Sequence, residues 1–234
     1  MPVQTASSNH DKTELRARLR SARWDRTPTE VAQADEQRSA RLARRLRRLA
    51  PAVVAAYSSG PDEPDTTVAL LDLIGQGTTV LLPARLPGRP DQPAWLVWSG
   101  DTAPPAWSAR PTSTVTDAVA GPVADATELA RADVIWLPGL AGTAAGDRLG
   151  RGGGWYDRAL LYARPGVPRW LLLWDDEVLP TLPIEDHDQT VTALVTERRW
   201  IDCSPMSDRR SGVGRAGQAV AGAGAAPPTL PGRG

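Results

Sequence analysis

Phenylalanine is absent from this 234-residue chain, cysteine occurs once, histidine twice and lysine once. A single cysteine, Cys203, excludes an intramolecular disulfide and a cysteine-cluster zinc site. Two histidines, His10 and His187, leave no basis for a histidine-rich metal centre. Long apolar runs are missing too: residues 1–11 are polar and later runs are about strand length, so neither a signal peptide nor a membrane span is expected. A soluble cytoplasmic protein is the resulting expectation. Lys12 stands alone among 26 arginines, which makes it worth following.

Net charge is also lacking, with 27 basic against 27 acidic groups. The zero argues against a strongly basic nucleic-acid binder. It conceals three parts. Residues 1–50 carry twelve basic groups against six acids, residues 51–203 carry eleven against twenty, and residues 204–234 carry four against one. Hydrophobic content of 41% supports a sizeable core.

Leu15, Leu19 and Ala22 predict a helix over 12–24. Thr27-Pro28-Thr29-Glu30 then reads as a capping box that opens a second helix running to about residue 50. Its arginines 41, 44, 45, 47 and 48 are expected to form a solvated face. Apolar runs then alternate with helical stretches: strands near 52–57, 78–82, 94–98, 134–140, 169–174 and 191–196, and helices near 66–74, 126–132 and 155–163. That alternation predicts an α/β sheet covered on both faces. The proline-rich segment 83–112 is expected to hold long loops. Residues 204–234 contain seven Gly, four Pro and six Ala. They cannot bury enough surface to offset their ordering entropy and are expected to be a disordered tail, as are residues 1–11 at the other end.

Residues 134–158, VIWLPGLAGTAAGDRLGRGGGWYDR, carry the most chemistry. A buried strand leads into a loop with Gly152, Gly153 and Gly154, then a helix near Trp155. Successive glycines permit positive φ and close backbone approach. Their N–H groups, with a helix N-terminus and the guanidinium groups of Arg148 and Arg151, suit a phosphate. Asp157 in the first turn would be a natural Mg²⁺ ligand beside a polyphosphate. No Gly-Lys-Ser/Thr follows, so this is not a Walker A loop. The bland alternative is a flexible turn with Asp157 as a helix-dipole partner.

RLGRGGGWYDR resembles the RLGxGGGYYDR signature of the 5-formyltetrahydrofolate cyclo-ligase family, also called 5,10-methenyltetrahydrofolate synthetases. Further matches follow in order: Lys12-x-x-x-Arg16; Tyr57 to Thr66, carrying Ser58 and Glu63; a strand ending at Pro83; Pro138-Gly139-Leu140-Ala141; and Leu182-Pro183 with His187-Asp188. The likeness spans roughly residues 12–197. It implies a single domain over 12–203, with the three-layer α/β/α architecture and mostly parallel sheet of the CoA-transferase-like folds. The implied activity is ATP- and Mg²⁺-dependent conversion of 5-formyltetrahydrofolate to 5,10-methenyltetrahydrofolate, by a monomer with no nucleic-acid or membrane partner. By resemblance, Lys12, Arg148 and Tyr156 are catalytic. Lys12, Arg16 and the loop Arg148-Leu149-Gly150-Arg151-Gly152-Gly153-Gly154-Trp155-Tyr156 hold ATP. Ser58 and Glu63, with residues Arg151 to Trp155, contact the folate, and Asp157 and Asp188 bind Mg²⁺. Trp95 and Trp98, read as sharing one strand face, are candidates for lining the pocket or for ordinary sheet core. Four positions depart from the family pattern: Gly121 lacks a glutamate, Gly142 and Thr143 replace Phe-Asp, and Trp155 replaces tyrosine. They motivate an alternative, a folate- or nucleotide-binding homologue impaired in turnover.

Overall fold

The computed structural model describes residues 3–86, 88–101, 122–185 and 187–204. Gly121 and residues 205–234 lie outside the described residues. Helix α1 spans Val3–Trp24 and so begins inside the segment expected to be disordered. No glycine or proline interrupts the run from Val3 to Trp24, so nothing local stops the helix from extending upstream of Lys12. Helix α2, Pro28–Leu49, opens on the expected capping box: the Glu30 N–H donates to Thr27 Oγ1, and Glu30 accepts from the Thr27 N–H. It ends at Ala50 in the left-handed region, followed by Pro51.

The chain then lays down β1 (Val53–Ala55), α3 (Thr67–Gly75), β2 (Thr79–Leu86), β3 (Arg89–Trp98) and β4 (Val123–Asp125). A 3₁₀ turn over Ala126–Arg131 replaces the helix expected there. Next come β5 (Val134–Leu137), a short hairpin of β6 (Ala141–Gly142) and β7 (Arg148–Leu149), and α4 (Trp155–Ala159), which continues as a 3₁₀ turn to Tyr162. Strands β8 (Arg169–Leu172), β9 (Ala193–Val195) and β10 (Trp200–Asp202) complete the fold.

Eight strands form one sheet in the order β10-β9-β8-β5-β1-β2-β3-β4. The five from β9 to β2 are parallel, and the remaining three are antiparallel at the edges. The fold is therefore mixed α/β with a mostly parallel central sheet. Strands β1, β5 and β9 are buried along their whole length, as near-continuous apolar runs require. The crossover through α3 leads from β1 to β2, whereas the crossover through α4 leads from β5 to β8 in the opposite direction. Right-handed connections of opposite sense put their helices on opposite faces.

Where long loops were expected within 83–112, residues up to Trp98 form a hairpin, β2 to β3, turned at Gly88 with φ +73°, and residues 102–112 lie outside the described residues. Pro83 lies beyond the residues that β1 pairs, and Pro93 lies just beyond those that β4 pairs. Each proline therefore sits where one side of its strand has no neighbour, the place a strand tolerates it.

Strand order reverses between β1 and β5. In open α/β sheets, ligands bind at such a switch point, outside the carboxyl ends of the strands. Here those ends lead into Tyr57-Ser58 and Pro138-Gly139.

Candidate active site at the switch point

Helix α1 lies across this crevice and is pinned there by one residue per turn. Lys12 Nζ donates to Asp188 Oδ2 at 2.7 Å and stands 3.4 Å from Glu185 Oε2. Arg16 Nε donates to the Gly150 carbonyl at 2.9 Å, and Arg20 to the Arg151 carbonyl at 3.0 Å. Arg23 is buried and makes four bonds: two to Glu177 (2.6 and 2.8 Å), one to the Gly139 carbonyl (2.6 Å) and one to the Asp62 carbonyl (3.0 Å). The spacings of four, four and three residues keep these side chains on one face of the helix. Lys12 is 4% exposed, which sets it apart from an ordinary surface lysine.

The glycine loop closes the crevice. Gly152 and Gly154 have φ of +100° and +62°, as the run of glycines predicts. A side chain at Gly152 would meet the guanidinium end of Arg16. Helix α4 is only five residues long, so the expected macrodipole contributes little. What the loop offers to an anion is therefore its N–H groups and its arginines. Arg148 Nη2 pairs with Asp157 Oδ1 at 2.5 Å, and that oxygen also accepts from the Gln189 N–H at 3.3 Å. Arg151 forks onto both carboxylate oxygens of Asp62 and donates to Glu63 Oε1 at 2.7 Å. Glu63 Oε2 accepts from the Gly60 N–H at 2.8 Å. Burial pulls the Arg151 pKa down, but Glu63 and Asp62 outweigh it, so the guanidinium is held above its usual value. Leu149 turns into a small cluster with Leu19, Leu140, Ala141 and Leu182, and its carbonyl accepts from the Leu140 N–H.

A buried aromatic group follows the glycine loop. Trp155 meets Trp95 edge-on at 5.2 Å and Tyr156 at 4.8 Å between ring centres. The Tyr156 hydroxyl is buried and finds no hydrogen-bond partner among the described residues. Burial, then Glu63 and Tyr57, push its pKa well up, while Arg148 pulls it back less. The phenol thus stays a neutral donor. Ser58 is buried at the end of β1. Trp98 does not join this group. It is three residues from Trp95 in unbroken register, hence on the opposite face of β3, which corrects the expectation that the two share one.

The carboxylate cluster is wider than expected. Glu185, His187 and Asp188 offer ligand atoms within 4.8 Å of one another, and Asp157 is not one of the three. Glu185 was not anticipated; its place three residues before Asp188 on the same loop was the available clue. The oxygen donors of Asp188 and Glu185 suit a hard dication, and the Lys12 ammonium lies between them as a positive charge already accommodated. Arg23, Glu177 and Asp62 were missed as well.

Three of the positions that depart from the family pattern have structural reasons. A Cβ on Gly142 would lie 2.8 Å from Leu171 Cδ2 and from Leu194 Cδ2, so a larger residue requires these leucines to shift. Thr143 is buried, donates from Oγ1 to Asp147 Oδ2 at 2.9 Å, and receives the Asp147 N–H, closing the turn between β6 and β7. Trp155 fills its place by packing on Trp95.

Together these features define an α/β protein of the enzyme type, with a glycine- and arginine-rich loop, a lysine-bridged carboxylate cluster and a buried aromatic group near one switch point. Residues 8–197 match the model of the 5-formyltetrahydrofolate cyclo-ligase family. The chain belongs to that family. It is 36% identical over 155 residues to the 5-formyltetrahydrofolate cyclo-ligase of Mycolicibacterium smegmatis, covering 63% of this chain and 75% of the relative. It is 33% identical over 69 residues to the mouse enzyme of that name, covering 28% and 34%. Among solved structures, it resembles 5,10-methenyltetrahydrofolate synthetases in fold. The Mycoplasma pneumoniae protein gives a TM-score of 0.62 at 15% identity, covering 80% of this chain and 99% of that one. The Aquifex aeolicus protein gives 0.65 at 21%, covering 90% and 96%. Among the described residues no helix is long and apolar enough to cross a membrane.

Proposed function

We propose that this protein closes 5-formyltetrahydrofolate to 5,10-methenyltetrahydrofolate with ATP as phosphoryl donor, releasing ADP and phosphate. The observation that carries this reading is the convergence of Lys12, Arg148 and Arg151 with Glu63, Asp157 and Asp188 at the ends of β1 and β5.

A formamide carbonyl is a poor electrophile. Phosphorylating its oxygen turns that oxygen into part of a leaving group. The substrate's own N10 then attacks the formyl carbon, and phosphate leaves with the former formyl oxygen. The nucleophile is intramolecular, which needs no Ser-His or Cys-His pair. The protein's task is to hold two anionic substrates and to stabilise charge during phosphoryl transfer. In this reading Lys12 and Arg148 turn from their carboxylates toward the phosphates. Arg16 fixes the loop through the Gly150 carbonyl while the loop's N–H groups face the triphosphate. Tyr156 donates its otherwise unused phenol hydrogen. Glu63 accepts from pterin N–H groups beside Ser58. Bound Mg²⁺ would neutralise phosphate charge, with Asp188 as a ligand together with Asp157 or Glu185. The same reading carries a cytoplasmic monomer.

The test is to incubate purified protein with 5-formyltetrahydrofolate, ATP and Mg²⁺ and to follow methenyltetrahydrofolate absorbance and ADP together. Equimolar formation of both, abolished without Mg²⁺, is expected. Nucleotide binding without product would favour the impaired homologue instead.

A further inference from the structure

Arg151 is asked to serve two masters, because its guanidinium faces the substrate loop while its backbone belongs to the phosphate loop. Its side chain is one-third exposed, yet the carboxylate side chains of Asp62 and Glu63 that it pairs with are only 6% and 9% exposed. Asp62 takes both Nη atoms, at 2.9 to 3.0 Å, and uses both of its oxygens. Two-point pairing of this kind fixes orientation as well as distance. The Asp62 backbone is itself anchored, since its carbonyl accepts from Arg23. Asp62 therefore holds Arg151 against Glu63, whose other carboxylate oxygen accepts from the Gly60 N–H.

We propose that Asp62 is a positioning residue that makes occupancy of the phosphate loop and of the Glu63 loop interdependent. This rests on the nucleotide and folate reading above. Arg151 cannot fork onto Asp62 and onto a phosphate at once. A polyphosphate that draws Arg151 away frees Glu63 for the N–H groups of a second ligand. Conversely, a ligand that engages Glu63 loosens one of the contacts holding Arg151. Each ligand then favours the other, and linkage requires the two effects to be equal.

The experiment measures binding of a non-hydrolysable ATP analogue with Mg²⁺ by calorimetry, with and without 5-formyltetrahydrofolate, in the wild type and in Asp62→Asn. In the wild type, folate should tighten nucleotide binding about tenfold, a common size for coupling between sites. Asp62→Asn keeps the shape but removes the charge that grips Arg151. It should bind nucleotide about fivefold more tightly without folate, the scale of a charge-assisted bond made neutral. Its coupling should fall below about threefold. Tighter binding is an outcome that structural damage does not produce. Simple loss of negative charge would tighten binding equally with and without folate, leave coupling intact, and so overturn the proposal. Unchanged or weaker nucleotide binding by a folded Asp62→Asn protein would overturn it too. Should that variant not fold, absence of coupling in the wild type still overturns the proposal, and its presence supports it. A wild type that binds no nucleotide at all sinks the underlying functional reading, a result distinct from binding without coupling.

Discussion

Replacing Arg23 by methionine tests whether the crevice is held together from beneath. Arg23 and Glu177 have side chains only 1% and 2% exposed. Methionine is apolar and of adequate length, so packing is largely kept while four hydrogen bonds and one charge are lost. Breaking one partner of a buried pair costs about 3–5 kcal/mol, because the other charge stays buried. At roughly 2–4 °C per kcal/mol for a domain of this size, the melting temperature should fall by roughly 6–20 °C. The deficit should depend on pH in a defined sense. Burial raises the Glu177 pKa, the Arg23 bonds lower it, and the net position lies above the ordinary carboxyl value. Without Arg23 the largest lowering contribution disappears and the pKa rises further. A carboxyl with a raised folded pKa contributes its stability below the unfolded value and loses it as pH climbs through the folded one. The Arg23→Met deficit should thus be smallest below about pH 4.5 and grow toward neutrality. Adding Glu177→Gln should recover more than half of the loss at pH 7, since the buried charge is gone. Thermal melts of the three variants at several pH values provide the assay. A drop under about 2 °C, or a pH-independent deficit that Glu177→Gln leaves unrepaired, would refute the reasoning.

Other residues give sharper local tests. Lys12→Ala should reduce turnover by roughly 10²-fold, the scale of one lost preorganised charge contact, as read by steady-state kinetics over ATP concentration. Near-wild-type kinetics would remove Lys12 from the site. Gly142→Ala forces a methyl group to 2.8 Å from two leucine carbons and should cost about 1–3 kcal/mol in denaturant titrations. An unchanged midpoint would show that Leu171 and Leu194 yield freely. The half-buried Cys203 thiol, near the Thr143 carbonyl, is pushed up to about 11, chiefly by burial and then by Asp202 and Asp147. At pH 8 it should react with a thiol reagent about 10²-fold more slowly than a free cysteine, and at the free rate once the protein is unfolded.

The sheet was legible because its inner strands are covered on both faces and so read as short apolar runs. The glycine loop's conformation was legible because positive φ at Gly152 and Gly154 leaves few alternatives to glycine. The Thr27 capping box was legible because every participant lies within three residues. What failed to show depends on contacts distant in sequence. Arg23 and Arg38 look like their solvent-facing neighbours in an arginine-rich region, yet each is buried by partners more than a hundred residues away, Glu177 for one and the Leu173 carbonyl for the other. Arg41, expected to be solvated, is likewise claimed by the carbonyls of Thr196 and Glu197, whereas Arg44, Arg45, Arg47 and Arg48 remain exposed. Strand β10 escaped notice because three partly exposed residues carry almost no periodicity. The β2–β3 hairpin was hidden by prolines, whose tolerance depends on which strand edges lack neighbours. Asp62 adjoins the glutamate that was singled out, but its role appears only when Arg151 is folded onto it.

The central claim concerns an oxygen atom. If the formyl oxygen is the phosphoryl acceptor and N10 the internal nucleophile, that oxygen must leave with phosphate. The decisive measurement is turnover of 5-formyltetrahydrofolate labelled with ¹⁸O in the formyl group, with ATP and Mg²⁺, followed by mass spectrometry of the inorganic phosphate. The account predicts one ¹⁸O per phosphate released, in step with methenyltetrahydrofolate. Unlabelled phosphate, or no product from a protein that binds both substrates, would contradict it.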